Sequence, residues 1–244
     1  MSQITAILNG YKRPQFLKEQ VEAIKNQTVK PKDIMLWQNN TEGFDKELTD
    51  SLITASSNTN LGVWARFAFA LNAKTEYICI FDDDTIPGDM WFENCLETMK
   101  THEGLLGTVG LIYDTPYSYR PNTRFGWADI NNPETIRVDI VGHAWFFKRE
   151  WLSTYWRELP PPMLTTVGED MHFSFMLQKY LGLNTYVPPH PEDNKRLWGS
   201  IKGWEMGTEK NALSFDNTNL MLMNMYHKEL VEKGFKLVRH GKIS

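Results

Sequence analysis

The feature that most constrains this chain is the run Tyr77-Ile78-Cys79-Ile80-Phe81, followed at once by Asp82, Asp83 and Asp84. An almost wholly apolar run of this length reads as a strand buried on both faces, the habit of a parallel sheet. Three carboxylates at its end repel one another and resist desolvation. If extended geometry continues through them, side chains two apart share a face, so Asp82 and Asp84 point together and Asp83 points away. Two carboxylates on one face suit Mg2+ or Mn2+, hard cations that prefer oxygen ligands and keep room for phosphate oxygens. The competing reading is a polar turn, since an acidic residue before Thr85-Ile86-Pro87-Gly88 also suits a turn and a helix cap. The position at the end of a buried strand favours the cation.

The residues before this strand alternate strand and helix patterns. Ile4 to Leu8 is a short apolar run closed by Asn9-Gly10. Pro14 opens a helix in which Phe16, Leu17, Val21 and Ile24 form an apolar stripe. Ile34 to Trp37 is a second strand ending in Gln38, Asn39 and Asn40, and Val63 to Leu71 is a further helical pattern. Strands separated by helices imply βαβ units and a mostly parallel central sheet with helices on both faces, an α/β fold. Ligands of such sheets bind beyond the carboxyl ends of the strands. Residues 9–13, 38–40 and 82–84 therefore fall on one rim.

Bulk properties exclude several classes. The net charge is -4, so bulk charge demands no nucleic-acid partner. Cys79 and Cys95 show no metal-binding or disulfide spacing and read as buried thiols. The start Met-Ser-Gln-Ile-Thr-Ala-Ile-Leu lacks the basic segment of a signal peptide, and no long apolar run reads as a membrane span. A soluble, cytoplasmic protein is expected, in the host cytoplasm if the chain is viral. Phosphatases of the haloacid dehalogenase type carry Asp-x-Asp-x-Thr after an apolar strand, but here Thr85 follows Asp84 directly and two strands precede. A nucleotidyltransferase would need a Gly-rich phosphate loop after the first strand, and none is present.

Downstream, Gly168-Glu169-Asp170 opens a helical run through Met171, Phe173, Phe175, Met176, Leu177 and Leu181, closed by Gly182. Acidic residues in a first turn complement the helix dipole, which is reason enough for the pair. A carboxylate there, facing the rim, can also take a proton from a bound hydroxyl. His172 reads as a surface residue of that helix. Between residues 110 and 150, Tyr113, Tyr117, Tyr119, Phe125 and Trp127 alternate with Arg120, Arg124 and Asp129. Such rings suit stacking on a sugar or a base. Leu220, Leu222, Met223, Tyr226, Leu230 and Phe235 are in helical phase and read as a covering helix, with an interface helix as the alternative.

Three segments in this order, residues 9–14, residues 60–66 with Phe81-Asp82-Asp83-Asp84, and Gly168-Glu169-Asp170, resemble the GT-A glycosyltransferases of the family 2 type, in particular its small viral and bacterial members. The resemblance spans roughly residues 3–200. It implies a single Rossmann-like GT-A domain over residues 1–244: a nucleotide-sugar half (1–105), an acceptor and catalytic half (106–205) and a C-terminal helical extension (206–244). It implies a metal-dependent, inverting transfer from a nucleoside-diphosphate sugar, a UDP-sugar first, to a hydroxyl of a glycan or small acceptor. By the same resemblance Asp170 is the base and Glu169 contacts the acceptor or orients its loop. Asp84, Asp82 and His190 hold Mn2+ or Mg2+. Asn9, Tyr11, Arg13, Asn39, Arg66, Asp82, Asp83, Lys195 and Trp198 contact the donor, the last two from a lid loop over residues 193–200. His143, in an apolar strand-like segment, is the rival of His190 and is directed to the acceptor pocket or the core. Two alternatives stay open: the same chemistry on a hydroxymethylated base of viral DNA, and an inactive nucleotide-sugar-binding protein.

Overall fold

A computed structural model describes residues 3–202, 205 and 216–241. Its strands are Ile4–Gly10 (β1), Asp33–Asn39 (β2), Ile53–Ser57 (β3), Tyr77–Phe81 (β4) and Gly104–Tyr113 (β5), then Asn122–Phe125 (β6), Ile136–Val138 (β7), Ile140–Lys148 (β8) and Asn184–Val187 (β9). The helices are Leu17–Lys25 (α1), Lys46–Asp50 (α2), Ala65–Phe69 (α3), Trp91–Thr101 (α4), Leu152–Tyr155 (α5), Glu169–Leu181 (α6) and Asn217–Glu232 (α7). Part of the expected C-terminal extension, residues 206–215, lies outside the described residues. Among the described residues the strands form one sheet in the order β3-β2-β1-β4-β8-β5-β9-β7, with β6 paired to β5.

The first four strands run parallel, as the alternating pattern requires. The central position of β1 and β4 explains their unbroken apolar sequences, since both faces of each are covered. Beyond β4 the sheet becomes mixed, because β8 enters antiparallel to both β4 and β5. The amino-terminal part of β8 therefore lies beside the carboxyl end of β4, with Ala144 opposite Phe81. This reversal brings residues from the second half of the chain to the rim where the aspartates emerge.

Before β4, two elements are absent from the sequence expectation. β3 is an edge strand whose residues Ile53-Thr54-Ala55-Ser56-Ser57 are all exposed or half-buried, so it carries no apolar signature. α2 is a five-residue helix with no apolar stripe, started by the Asp45 side chain accepting from the Glu47 and Leu48 amides. The helix expected at Pro14 begins as a 3-10 turn, Pro14–Phe16, before α1. The expected thiols are both free and buried. No helix among the described residues is long and apolar enough to cross a membrane.

α6 is apolar on most of its circumference and lies in the core, which explains its run of buried Met and Phe. Left-handed glycines bound it, Gly168 at φ +97° and Gly182 at φ +68°. His172, expected on its surface, is buried: Nε2–H donates to the Tyr155 carbonyl at 2.9 Å and Nδ1 accepts from the Tyr226 hydroxyl at 2.6 Å. That pair ties α7 to α6.

The loop after β3 is held to the loop before α6 at one glycine. Gly62 has φ +73°, a Cβ there would stand 1.9 Å from the Thr165 carbonyl oxygen, and the next amide, Val63, donates to that same oxygen at 3.0 Å. Gly62→Ala should cost about 1–3 kcal/mol of stability through left-handed strain and the clash. Urea unfolding measures it, and an unchanged midpoint would mean the two loops are not joined in this way.

Candidate active site

A cleft of about 500 Å³ opens at the carboxyl ends of the parallel strands, large enough for a small-molecule ligand. It is lined by Asn9, Tyr11, Arg13, Asn39, Arg66, Asp82, Asp83, Asp84, Glu169 and Asp170, all anticipated from the sequence. From the second half of the chain come Tyr119, Arg120, Arg124, Trp127 and His143, with Met223 from α7.

Each aspartate of the triplet has its own compensation. Asp82 pairs with Arg66. Asp83 accepts from Arg13 Nη1 at 2.9 Å and from the Tyr11 amide at 3.3 Å. Asp84 accepts from the same Nη1 at 3.0 Å and lies 3.6 Å from His143 Nδ1. Burial pushes the Asp83 carboxyl up to about 7, with Asp84 adding to the rise and Arg13 opposing it. Burial also works against the Asp84 charge, but His143 and Arg13 outweigh it and hold its pKa below the ordinary carboxylate value.

The backbone of the triplet is fixed on several sides. Gln20, buried on α1, donates Nε2–H to the carbonyls of Asp82 at 2.7 Å and Thr85 at 2.8 Å. The Asp82 amide at 2.9 Å and the Thr85 hydroxyl at 3.0 Å both donate to the His143 carbonyl. His143 itself sits at a bulge: between Gly107↔Trp145 and Val109↔Gly142, His143 and Ala144 face Thr108 alone. Its φ is +63°, a conformation that costs energy for a side-chain-bearing residue and marks sites where a side chain is re-aimed. The ring packs beside Trp127 at 4.4 Å between centroids.

The re-aimed imidazole completes a ligand set. One ligand atom each from Asp82, Asp84 and His143 lies within 4.8 Å of the others. Asp84 Oδ1 and His143 Nδ1 are buried without a hydrogen-bond partner, a cost that a bound cation would remove. The donor set, two carboxylates and an imidazole, fits a divalent ion, and the imidazole moves the preference from Mg2+ toward a transition ion such as Mn2+.

Across the cleft, Arg66 reaches the other acidic pair. It is 3% exposed, donates Nη2–H to Glu169 Oε1 at 2.8 Å, and lies over the Trp145 ring at 4.6 Å. Burial works against its charge, but Asp82 and Glu169 together hold its pKa above the ordinary value. Burial raises the Glu169 carboxyl, against Arg66. The Asp170 carboxyl is raised by burial to about 6, against the Met171 amide that donates to its Oδ1 at 2.7 Å. Arg66, expected to reach the nucleotide, is thus turned inward. Asn39, expected to read the base, bonds instead to the Asn60 side chain at 2.8 Å and the Leu61 amide at 2.9 Å, while Asn60 donates to the Tyr11 hydroxyl at 3.0 Å.

Three anticipated residues stand elsewhere. His190 lies outside the carboxylate group: its ring stacks on Trp198 at 4.0 Å, and Nε2–H donates to the Ala128 carbonyl at 3.1 Å. Burial pushes its pKa down to about 4. Trp198 is buried and donates to the Pro191 carbonyl at 2.7 Å, with Lys195 over its ring at 5.0 Å. The expected lid is sewn to the loop before α4, through Gly88 to the Trp198 carbonyl at 2.8 Å and Met90 to the Arg196 carbonyl at 2.9 Å. His143 takes the place expected of His190. Its signal was a lone histidine after Gly142 within an apolar run, which is too common to mark a bulge.

A family model described as Glycosyl transferase family 2 matches residues 5–156. Among solved structures, the mannosyltransferase PcManGT from Pyrobaculum calidifontis, in complex with GDP-Man and Mn2+, has a TM-score of 0.60 and 16% identity over 97% of this chain and 66% of that one. S. aureus TarS 1-349 in complex with UDP gives 0.53 and 14% identity over 77% of this chain and 58% of that one. TarS 1-349 alone gives 0.51 and 15% identity over 78% and 61%. These likenesses concern the fold: a mixed, mostly parallel α/β sheet shared with GT-A glycosyltransferases. The chain spans 66% or less of the length of each of these matches. No curated protein sequence matches it.

The buried arginine yields a stability test. Arg66→Met should cost about 3–5 kcal/mol, because it leaves Asp82 and Glu169 without their shared partner. Adding Glu169→Gln should recover part of that loss. Chemical denaturation of both variants measures the effect, and equal stability of Arg66→Met and the wild type would refute the pairing.

Proposed function

The chain belongs to glycosyl transferase family 2, and we propose that it moves a sugar from a nucleoside-diphosphate sugar to an acceptor hydroxyl by a single inverting displacement. The observation that carries this reading is one cleft holding the Asp82/Asp84/His143 group and the carboxylate of Asp170. The structures compared above hold GDP-Man with Mn2+ and UDP. A UDP-sugar is the first donor to test here and GDP-mannose the second, with a glycan or small hydroxyl compound as acceptor.

Asp82, Asp84 and His143 would hold Mn2+ or Mg2+, which when bound supplies Lewis-acid stabilisation of the leaving diphosphate. Asn9 and Tyr11 form the donor wall, braced by the Tyr11–Asn60–Asn39 bonds. Asp170 takes the proton of the acceptor hydroxyl. Its Oδ1 is held by the Met171 amide, and Oδ2 has no hydrogen-bond partner among the described residues. The deprotonated oxygen bonds to the anomeric carbon as the bond to the diphosphate breaks. Positive charge develops on the sugar in that transition state, and the carboxylates around the cleft favour it. Glu169, locked by Arg66, positions the first turn of α6 and so the base.

A nucleoside diphosphate at a hundredfold excess over its Kd, with Mn2+, should stabilise the fold by about 2.7 kcal/mol, a rise of roughly 5–10 °C in Tm for a chain of this size. No shift with any nucleoside diphosphate would sink the donor assignment. Asp170→Asn should abolish turnover and leave that shift intact, whereas surviving activity would place the base elsewhere. The base works ionised, so kcat/KM should rise with pH and level off above about 6. A limb centred near the ordinary aspartate value would contradict the buried environment of Asp170.

A further inference from the structure

The cleft that holds Asp170 is also lined by two guanidiniums to which the proposed transfer gives no part. Arg120 and Arg124 line it next to Tyr119, over an apolar floor of Val109, Leu111 and Met223. Resting on the transferase reading, we infer that Arg120 and Arg124 form an anion subsite for the acceptor, so that the acceptor carries a phosphate or carboxylate beside the hydroxyl that reacts.

The charge of the cleft points this way. At the donor end the guanidiniums of Arg13 and Arg66 are engaged by Asp82, Asp83, Asp84 and Glu169. Arg124 is exposed to the cleft and has no hydrogen-bond or ion-pair partner among the described residues. The pair shares the cleft with the base and the cation group: the Tyr119 hydroxyl feels Asp170 and Glu169 on one hand and Arg124 and Arg120 on the other, and Arg124 also acts on the His143 ring. An anionic acceptor entering a cleft with five carboxylates needs such a counterweight, whereas a neutral one does not.

The subsite is also held in place. Along β6, Thr123 bonds outward to Asp114 at 3.2 Å and accepts from Arg239 at 3.0 Å, so its neighbour Arg124 alternates to the cleft side. Arg239 pairs with Asp114 as well. The buried Asp139 carboxylate accepts from the Tyr113 amide at 2.7 Å and from the Val238 amide at 2.6 Å, clamping the C-terminal segment to the end of β5. Tyr119 is anchored through its amide to Asn224 of α7 at 2.8 Å. These bonds fix the backbone that carries the pair, and guanidiniums favour the bidentate recognition of phosphate or carboxylate. The transfer balances as before: the acceptor proton goes to Asp170, one carbon–oxygen bond forms, and the nucleoside diphosphate leaves. The anionic group is not altered.

The same chemistry could serve the donor's diphosphate, and the test separates the two sources. Calorimetry first measures UDP and GDP binding with Mn2+. Glucose 6-phosphate, glucuronate and glucose are then titrated into the protein loaded with whichever nucleotide binds. The proposal expects the charged sugars to bind at least about tenfold more tightly than glucose. Arg120→Ala/Arg124→Ala should erase that preference and leave nucleotide affinity within about twofold, and Arg124→Lys should keep part of it. Both side chains are exposed, so the fold is expected to survive, which circular dichroism checks. Equal binding of all three sugars, or a preference that persists in the double variant, overturns the proposal. Loss of nucleotide binding in the double variant assigns the pair to the donor and overturns it while the transferase reading stands. Failure of the wild type to bind either nucleotide removes that reading and this proposal together.

Discussion

One guanidinium sets the electrostatics of the whole site. Arg66 is buried between Asp82 and Glu169, so it joins the end of a central strand to the start of the helix that carries Asp170. Without it two carboxylates would face each other in a poorly hydrated cleft, and burial alone would drive them toward protonation. The short helix α3 exists to place this residue. Its Arg66 and Phe67 are both buried, and Trp64 before it donates to the Leu164 carbonyl, fixing the helix against the loop before α6. Arg13 plays the matching part on the other flank by bridging Asp83 and Asp84.

The second constraint is geometric. The strand ends at Phe81 and the aspartates form a turn, with the Thr85 amide donating to the Asp82 carbonyl at 3.2 Å, instead of the extended run that would send Asp83 away. Asp83 stays on the cleft beside Asp84, and the turn is held by Gln20 and by the His143 carbonyl. The same bulge that supplies the carbonyl turns the His143 ring toward Asp84. Backbone support and the third candidate ligand thus arise from one irregularity in β8. Its positive φ is a local cost set against a buried, otherwise uncompensated group of polar atoms.

Much of this was legible because it is local. Five consecutive residues of β4, the acidic run at its end, and the glycine before Glu169-Asp170 all carry their signal within a few positions, whereas the expected alternation that turned Asp83 away is replaced by a turn. β3 was not, because a polar edge strand is defined by its pairing to β2 and not by its composition. His190 was assigned by the family resemblance, yet its ring is taken up by Trp198, a contact that depends on how the loop folds back over α4. His143 was placed in the right strand but not at the cation group, since a bulge depends on the register between β5 and β8, which no single segment encodes. Arg66 and Asn39 were placed at the rim, and their inward partners follow from long-range packing.

On the proposed function, Asp84 and His143 together would hold the cation that the donor needs. Electron paramagnetic resonance of free Mn2+ during titration into the UDP-loaded protein tests it directly. The account predicts one saturable site in the wild type, weakened by at least about tenfold in Asp84→Asn and likewise in His143→Gly. Glycine there keeps the left-handed backbone without steric cost. Wild-type Mn2+ affinity in His143→Gly would contradict the account.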